Sequence, residues 1–246
     1  MSGPTSGGEG DPQESGSDAR AGAGDPRAPQ DDPPPGGDDG RASLTADDAA
    51  TFERCMRVGG VAVFPADTVY GLACEPDLPE AVRRLYALKG RRPDKPAAVM
   101  FFDPELAFAA LPELGPRTHA LLARLLPGGV TALLPNPARR FPLACGPDPD
   151  TLGVRVPALP RAIAALVAVR WPVLQSSANA AGAADARRLD DVPAAIRREA
   201  DLVLDGGELP GTPSTVVDLR RYEAAGEWIV VREGAVPAAA IAHAAG

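Results

Sequence analysis

The sequence predicts an α/β fold, a twisted sheet of mixed or parallel strands flanked by helices, with a concave ligand site. Three observations lead there. Short apolar runs rich in β-branched residues, such as Val61 to Phe64, Val130 to Leu134 and Ser214 to Asp218, recur between segments of helical periodicity, the alternation expected of strands packed under helices. Two such runs pass directly into polar clusters, Asp67, Thr68 and Tyr70 after Pro65, and Ser176, Ser177 and Asn179 after Gln175. In open α/β sheets ligands bind at that kind of strand end. A domain of about 200 residues can bury roughly 70% of its unfolded surface, enough to stand alone.

Residues 1–43 have no large apolar residue after Met1 and are rich in Gly, Pro, Ser and Asp. Such a segment buries too little surface to offset the entropy of ordering, so a disordered acidic tail is expected there, with a folded domain over 44–246. A helix begins at Thr45, where Thr45 and Asp48 form a capping box ahead of Phe52, Cys55 and Met56, and Gly59-Gly60 ends it. The strand Val61 to Phe64 follows, then a polar turn. Asp77 is the expected N-cap of a helix with Pro79 just inside it, Val82, Leu85, Tyr86 and Leu88 on its apolar face and Gly90 as its stop. Ala97 to Phe102 reads as a strand, Asp103-Pro104 opens a short helix, and Gly115 to Leu126 a longer one with His119 on its surface. After the strand Val130 to Leu134, the proline-rich, aperiodic stretch 135–150 is expected to be a surface loop. Thr151 to Val156 is a strand with Arg155 amid valines, and a buried guanidinium there needs an acid or a ligand carboxylate as partner. A helical run over 158–169, a strand into Gln175, a short helix within 186–200, and strands at 201–205, 214–218 and 227–234 complete the pattern.

Composition narrows the chemistry. The chain is 45% apolar with no run long enough to cross a bilayer and no leader resembling a signal peptide, so a cytoplasmic protein without membrane contact is expected. Cys55, Cys74 and Cys145 are odd in number and lack CxxC spacing, against both a disulfide framework and structural zinc. With only His119 and His243, histidine metal clusters and Ser-His-Asp catalysis are close to excluded. The net charge of −8 belongs mostly to residues 1–43, which hold nine acids and three bases. The remainder is near neutral with a local cationic cluster, which suits a nucleotide and is compatible with RNA.

That cluster is Lys89, Arg91, Arg92 and Lys95 at the end of a helix, where Lys89 and Arg91 are expected to face solvent. Basic residues favour helix C-termini through the macrodipole alone, so position by itself does not decide their role. The stretch as a whole resembles the signature of the YrdC/Sua5 family, the L-threonylcarbamoyladenylate synthases. The match lies in Pro65-Ala66-Asp67-Thr68-Val69-Tyr70-Gly71-Leu72, Lys89-Gly90-Arg91, Gly153 to Pro157, Ser177-Ala178-Asn179, Pro213 to Leu219 and the Val231 to Gly234 ending. It covers about 45–234, in the family's order and near its spacing, in the manner of its short form without an added C-terminal domain.

The resemblance implies an activity and a site. Family members join ATP, L-threonine and bicarbonate or carbon dioxide into L-threonylcarbamoyladenylate, releasing pyrophosphate, for N6-threonylcarbamoylation of adenosine 37 in tRNA. Carried over by position, Thr68, Arg155 and Ser214 would bind threonine, while Arg91, Lys95, Thr151, Ser177 and Arg232 would contact ATP. Lys89, Arg91, Ser177 and Asn179 would form the catalytic group. Lacking a phosphate loop, the chain would hold a triphosphate with Lys89 and Arg91, and a magnesium ion would accompany the phosphates. Partners implied are tRNA or double-stranded RNA and the threonylcarbamoyl-transferase complex; an RNA-binding member without synthase activity is the alternative. Departures from the pattern at Ala66, Lys95, Met100, Gly129 and Gln175 bear on substrate detail.

Overall fold

A computed structural model of the chain describes residues 43–92 and 94–246. The tail expected over 1–43 lies outside the described residues except for Ser43.

Nine strands form one mixed sheet: β1 (Val61–Pro65), β2 (Tyr70–Cys74), β3 (Ala98–Met100), β4 (Val130–Pro135), β5 (Thr151–Arg155), β6 (Val173–Ser177), β7 (Leu202–Val203), β8 (Thr215–Asp218) and β9 (Ile229–Arg232), in the order β7-β1-β2-β6-β3-β5-β4-β8-β9. The pairs β1/β7, β3/β5 and β4/β8 are parallel and the other five antiparallel. The mixed expectation holds, with the antiparallel component dominant. Its main source is β2. The polar turn expected over 65–72 is shorter than read, and Tyr70 to Cys74 doubles back beside β1, fully buried. Tyr70 is therefore a core residue whose hydroxyl lies 2.8 Å from both Asp205 Oδ1 and the Gly207 carbonyl and accepts from Gly206 N.

Helices cover both faces. On one, α2 (Pro79–Lys89), α4 (Pro116–Leu125), α5 (Ala194–Glu199), α6 (Tyr222–Ala225) and α7 (Ala238–Ala245) bury Leu85, Leu122, Ile196, Tyr222 and Ile241 against Leu72, Val99, Val154 and Val217. On the other, α1 (Ala46–Arg57) and the 3-10 helix Arg161–Ala168 seal Phe52, Met56, Ile163 and Leu166 onto Phe64, Ala73, Met100 and Val173. The capping box at Thr45 is present, and Asp103 caps α3 (Pro104–Ala110) through Glu105 N. Asp77 caps nothing: the N-cap of α2 is Leu78, without a side-chain bond, since the helix begins directly at Pro79. Gly90 ends α2 in the left-handed conformation, φ 62°, that favours glycine. Helices α6 and α7 went unread because their runs are short or almost featureless alanine. Among the described residues no helix is long and apolar enough to cross a membrane.

Candidate functional site

The second face of the sheet is left open beyond the reach of α1, and the reason lies in two small residues. Gln175, Ala98, Gly153, Leu133 and Asp218 are consecutive register partners across β6, β3, β5, β4 and β8, a row about 19 Å long at normal strand spacing. At its middle, Ala98 and Gly153 raise almost nothing above the backbone. The hollow above them has a volume of about 470 Å³ and includes Arg91, Thr151, Arg155, Ser177, Ser214 and Arg232 in its walls. It spreads across the face of the sheet, where the sequence placed it along the strand ends. A Cβ on Gly153 would make ordinary contacts of 3.5 to 3.6 Å with Ala98, Ala97 and Leu133. Gly153→Ala is thus expected to fold normally, whereas Gly153→Val should fill the floor and weaken ligand binding by at least about tenfold, read by calorimetric titration with ATP.

The next row holds Val173, Met100, Arg155, Thr131, Val216 and Arg232. Arg155 is 3% exposed and answers the partner question raised by its sequence: Nη2 pairs with Asp67 Oδ1 and donates to Thr68 Oγ1 at 2.6 Å. The other Asp67 oxygen accepts from Ala158 N at 3.1 Å. Burial lowers the pKa of Arg155, and the Asp67 carboxylate opposes that shift only in part. Its Nε is buried without a protein partner, and the residue is among those lining the hollow. Thr68 lines neither this hollow nor its neighbour and connects to the site through Arg155. Ser214 Oγ lies 2.8 Å from Thr131 Oγ1, and Arg232 Nη2 donates to the Ser214 carbonyl at 2.6 Å and its hydroxyl at 3.3 Å.

An adjoining hollow of about 400 Å³ holds Lys89, Lys95 and Asn179, and shares Arg91, Ser177, Asp185 and Arg232 with the first. Lys89 was expected at a solvent-facing helix end, and the structure corrects this: it is 5% exposed. The last turn of α2 points it under the loop leaving β6, where Nζ donates to the Ser177 carbonyl (2.6 Å), Asn179 carbonyl (2.9 Å) and Asn179 Oδ1 (2.5 Å), with Ser177 Oγ at 3.2 Å. Burial, reinforced by the Arg91 guanidinium, pushes the ammonium down to about 8, and Asp185 opposes the shift. Arg91 is anchored by Nη2 on the Pro96 carbonyl at 2.5 Å, with Nη1 3.4 Å from Ser176 Oγ, and its Nε is buried without a partner. Lys95 is exposed and its carbonyl accepts from Tyr86 Oη.

At the far rim Thr151 Oγ1 donates to Asp148 Oδ2 (2.7 Å) and accepts from Arg220 Nη1 (3.1 Å), while Arg220 grips Asp218. Sequence reasoning did not single out Asp148, Asp185, Thr131 or Arg220 as site residues. Only Arg220 carried a usable signal, two residues beyond Asp218 and just past the end of β8. The arrangement can seat a polyanion over Arg91 and Arg232 and a carboxylate near Arg155, with hydroxyls between.

The Sua5/YciO/YrdC family model, described as telomere recombination, matches residues 54–234. The threonylcarbamoyl-AMP synthase of Chromohalobacter salexigens is 38% identical over 181 residues, 73% of this chain and 96% of the relative. That of Pyrococcus abyssi is 30% identical over 185 residues, but the chain spans only 52% of its length. Among solved structures, P. abyssi Sua5 complexed with L-threonine superposes with a TM-score of 0.70 at 27% identity, over 82% of this chain and 58% of that one. E. coli YciO gives 0.66 at 25% identity, over 80% and 94%. The strands of the sheet and the residues lining the two joined hollows lie within the matched span, and the chain belongs to the Sua5/YciO/YrdC family.

Proposed function

We propose that the chain is a threonylcarbamoyl-AMP synthase, joining L-threonine, bicarbonate and ATP into L-threonylcarbamoyladenylate for the N6-threonylcarbamoyl modification of tRNA. One observation carries the reading: a buried arginine with an unclaimed donor lines the same hollow as Arg91 and Arg232, so an amino-acid carboxylate and a triphosphate can lie side by side. Threonine carbamate forms from the amine and bicarbonate with loss of water. Its oxygen then bonds to the α-phosphorus as the bond to the bridging oxygen breaks, and pyrophosphate departs with the electron pair. Arg91 and Arg232 face the growing negative charge, where fixed donors are worth most. Lys89 holds Ser177 and Asn179 in place from below and adds its charge.

Magnesium would travel with the phosphates. Among the described residues no group of three or more His, Cys, Asp or Glu could hold an ion, so the phosphates themselves would be its main ligands. The product would pass to the threonylcarbamoyl-transferase machinery and tRNA. Mass spectrometry of a reaction containing ATP, threonine and bicarbonate tests the proposal: the adenylate and pyrophosphate are expected only when all three are present. Pyrophosphate release indifferent to threonine or bicarbonate would sink it.

The Lys89 shift predicts a pH signature. A triphosphate nearby favours the charged ammonium, so nucleotide binding should take up a proton just above pH 8, and affinity should fall as pH rises through about 8. The stability effect of this group has the opposite sign. Its folded value lies below the unfolded one, so the unfolded chain binds more protons between them and stability rises with pH across that window. Titration calorimetry in two buffers of different ionisation heat reads the uptake, and equal heats in both would contradict the assignment.

A further inference from the structure

We propose that Thr131, paired with Ser214, determines substrate specificity by reading the side-chain hydroxyl of the amino acid; the inference rests on the synthase reading above. Thr131 is the register partner of Arg155 on the adjacent strand, and both line the main hollow together with Ser214. Thr131 and Ser214 are 8% and 3% exposed, and their hydroxyl oxygens are 2.8 Å apart.

The proton count of this pair is informative. Each hydroxyl owns one proton and two lone pairs. The bond between them uses one proton, whichever residue donates. The remaining neighbour of Ser214 Oγ is Arg232 Nη2, and a guanidinium can only donate. One hydroxyl proton is therefore left without a protein acceptor among the described residues, in a buried wall of the cavity. If Ser214 donates, it is the proton of Thr131; if Thr131 donates, it is that of Ser214, whose oxygen then accepts from both sides.

A ligand acceptor must answer that proton, and position limits its chemistry. With the substrate carboxylate at Arg155, the dyad is one strand away, about 5 Å. A β-hydroxyl, three bonds from the carboxyl carbon of an α-amino acid, reaches it. Its oxygen can accept the spare proton. Valine has threonine's shape with a methyl in place of that oxygen, so it would bury the same donor unpaired. A site built around a substrate hydroxyl rejects an analogue lacking it far more strongly than a size filter does.

The test compares L-threonine with L-valine, by kcat/KM for pyrophosphate release and by product mass. The wild-type chain is expected to prefer threonine by about 10⁴-fold. Thr131→Val should cut that ratio at least about tenfold, raising KM for threonine while leaving KM for ATP unchanged, and Thr131→Ser, which keeps the hydroxyl, should preserve the ratio. Near-equal use of valine by the wild type overturns the proposal even if Thr131→Val does not fold. An unchanged ratio in Thr131→Val, or a lost ratio in Thr131→Ser, overturns it as well and leaves the dyad a packing feature. Failure of this inference differs from failure of the synthase reading: threonine-dependent release without preference over valine defeats only the former, whereas release that ignores threonine altogether defeats the latter.

Discussion

Lys89→Met is expected to lower kcat for threonine- and bicarbonate-dependent pyrophosphate release by about 10²- to 10³-fold, as removal of a donor of an oxyanion site does, while the chain still folds. The methionine keeps most of the volume and loses the charge. What it leaves behind is a set of acceptors: the Ser177 and Asn179 carbonyls and Asn179 Oδ1 lose their common donor. Unsatisfied buried acceptors cost about 1–3 kcal/mol, partly offset because a desolvated ammonium no longer has to be buried. Asn179 Nδ2 still donates to the Ala183 carbonyl and Ser177 Oγ still bonds Asn179 Oδ1, so the loop keeps internal ties. Thermal denaturation should show a moderate loss and the product assay a large one. Full activity in a folded Lys89→Met chain would reduce the residue to a structural strut. Arg91→Ala supplies the contrast: Arg91 is only half-buried and holds one carbonyl at 2.5 Å, so activity should fall with little change in stability.

The two residues also show what the sequence could and could not reveal. Strand and helix positions follow from local signals: β-branched runs, the Thr45 box, Asp103-Pro104, the left-handed stop at Gly90. These act within a few residues and can be read along the chain. The chain's return at Tyr70 is different, because β2 continues straight from a polar turn whose residues resemble a loop, and its pairing with β6 involves partners a hundred positions away. Lys89 was misplaced for the same reason. Helix periodicity sets the face it occupies, but only the loop leaving β6, contributed by Ser177 and Asn179, turns that face into an interior. Likewise an arginine between valines announces the need for a partner, and both an acid and a ligand were admissible. Asp67 settles the protein's side of that question, and the unpartnered Nε leaves room for the ligand's. The hollow itself was least legible, since it is made by missing side chains at Ala98 and Gly153, which become neighbours only through register.

Arg155→Leu should be the most destructive single change in the site. It strips Asp67 of its cation and leaves the carboxylate, itself buried, with the Ala158 amide at 3.1 Å as its remaining partner. Breaking a buried pair from one side costs about 3–5 kcal/mol, enough to threaten a domain of ordinary stability. Activity would then be lost for a trivial reason, so two further variants separate pairing from binding. In Asp67→Asn with Arg155→Leu, both charges are gone, and the double change should cost clearly less than the sum of the single ones, a coupling measurable by chemical denaturation. This double variant should fold and yet fail to bind threonine, because nothing remains to face the carboxylate. Arg155→Lys keeps a charge but cannot serve Asp67 and Thr68 with one planar group as Nη2 does now. Its KM for threonine should rise at least about tenfold, with KM for ATP near its original value. Threonine binding that survives in the folded double variant would move the carboxylate elsewhere, and Arg155 would then serve only to tie β5 to the turn at Asp67 and Thr68.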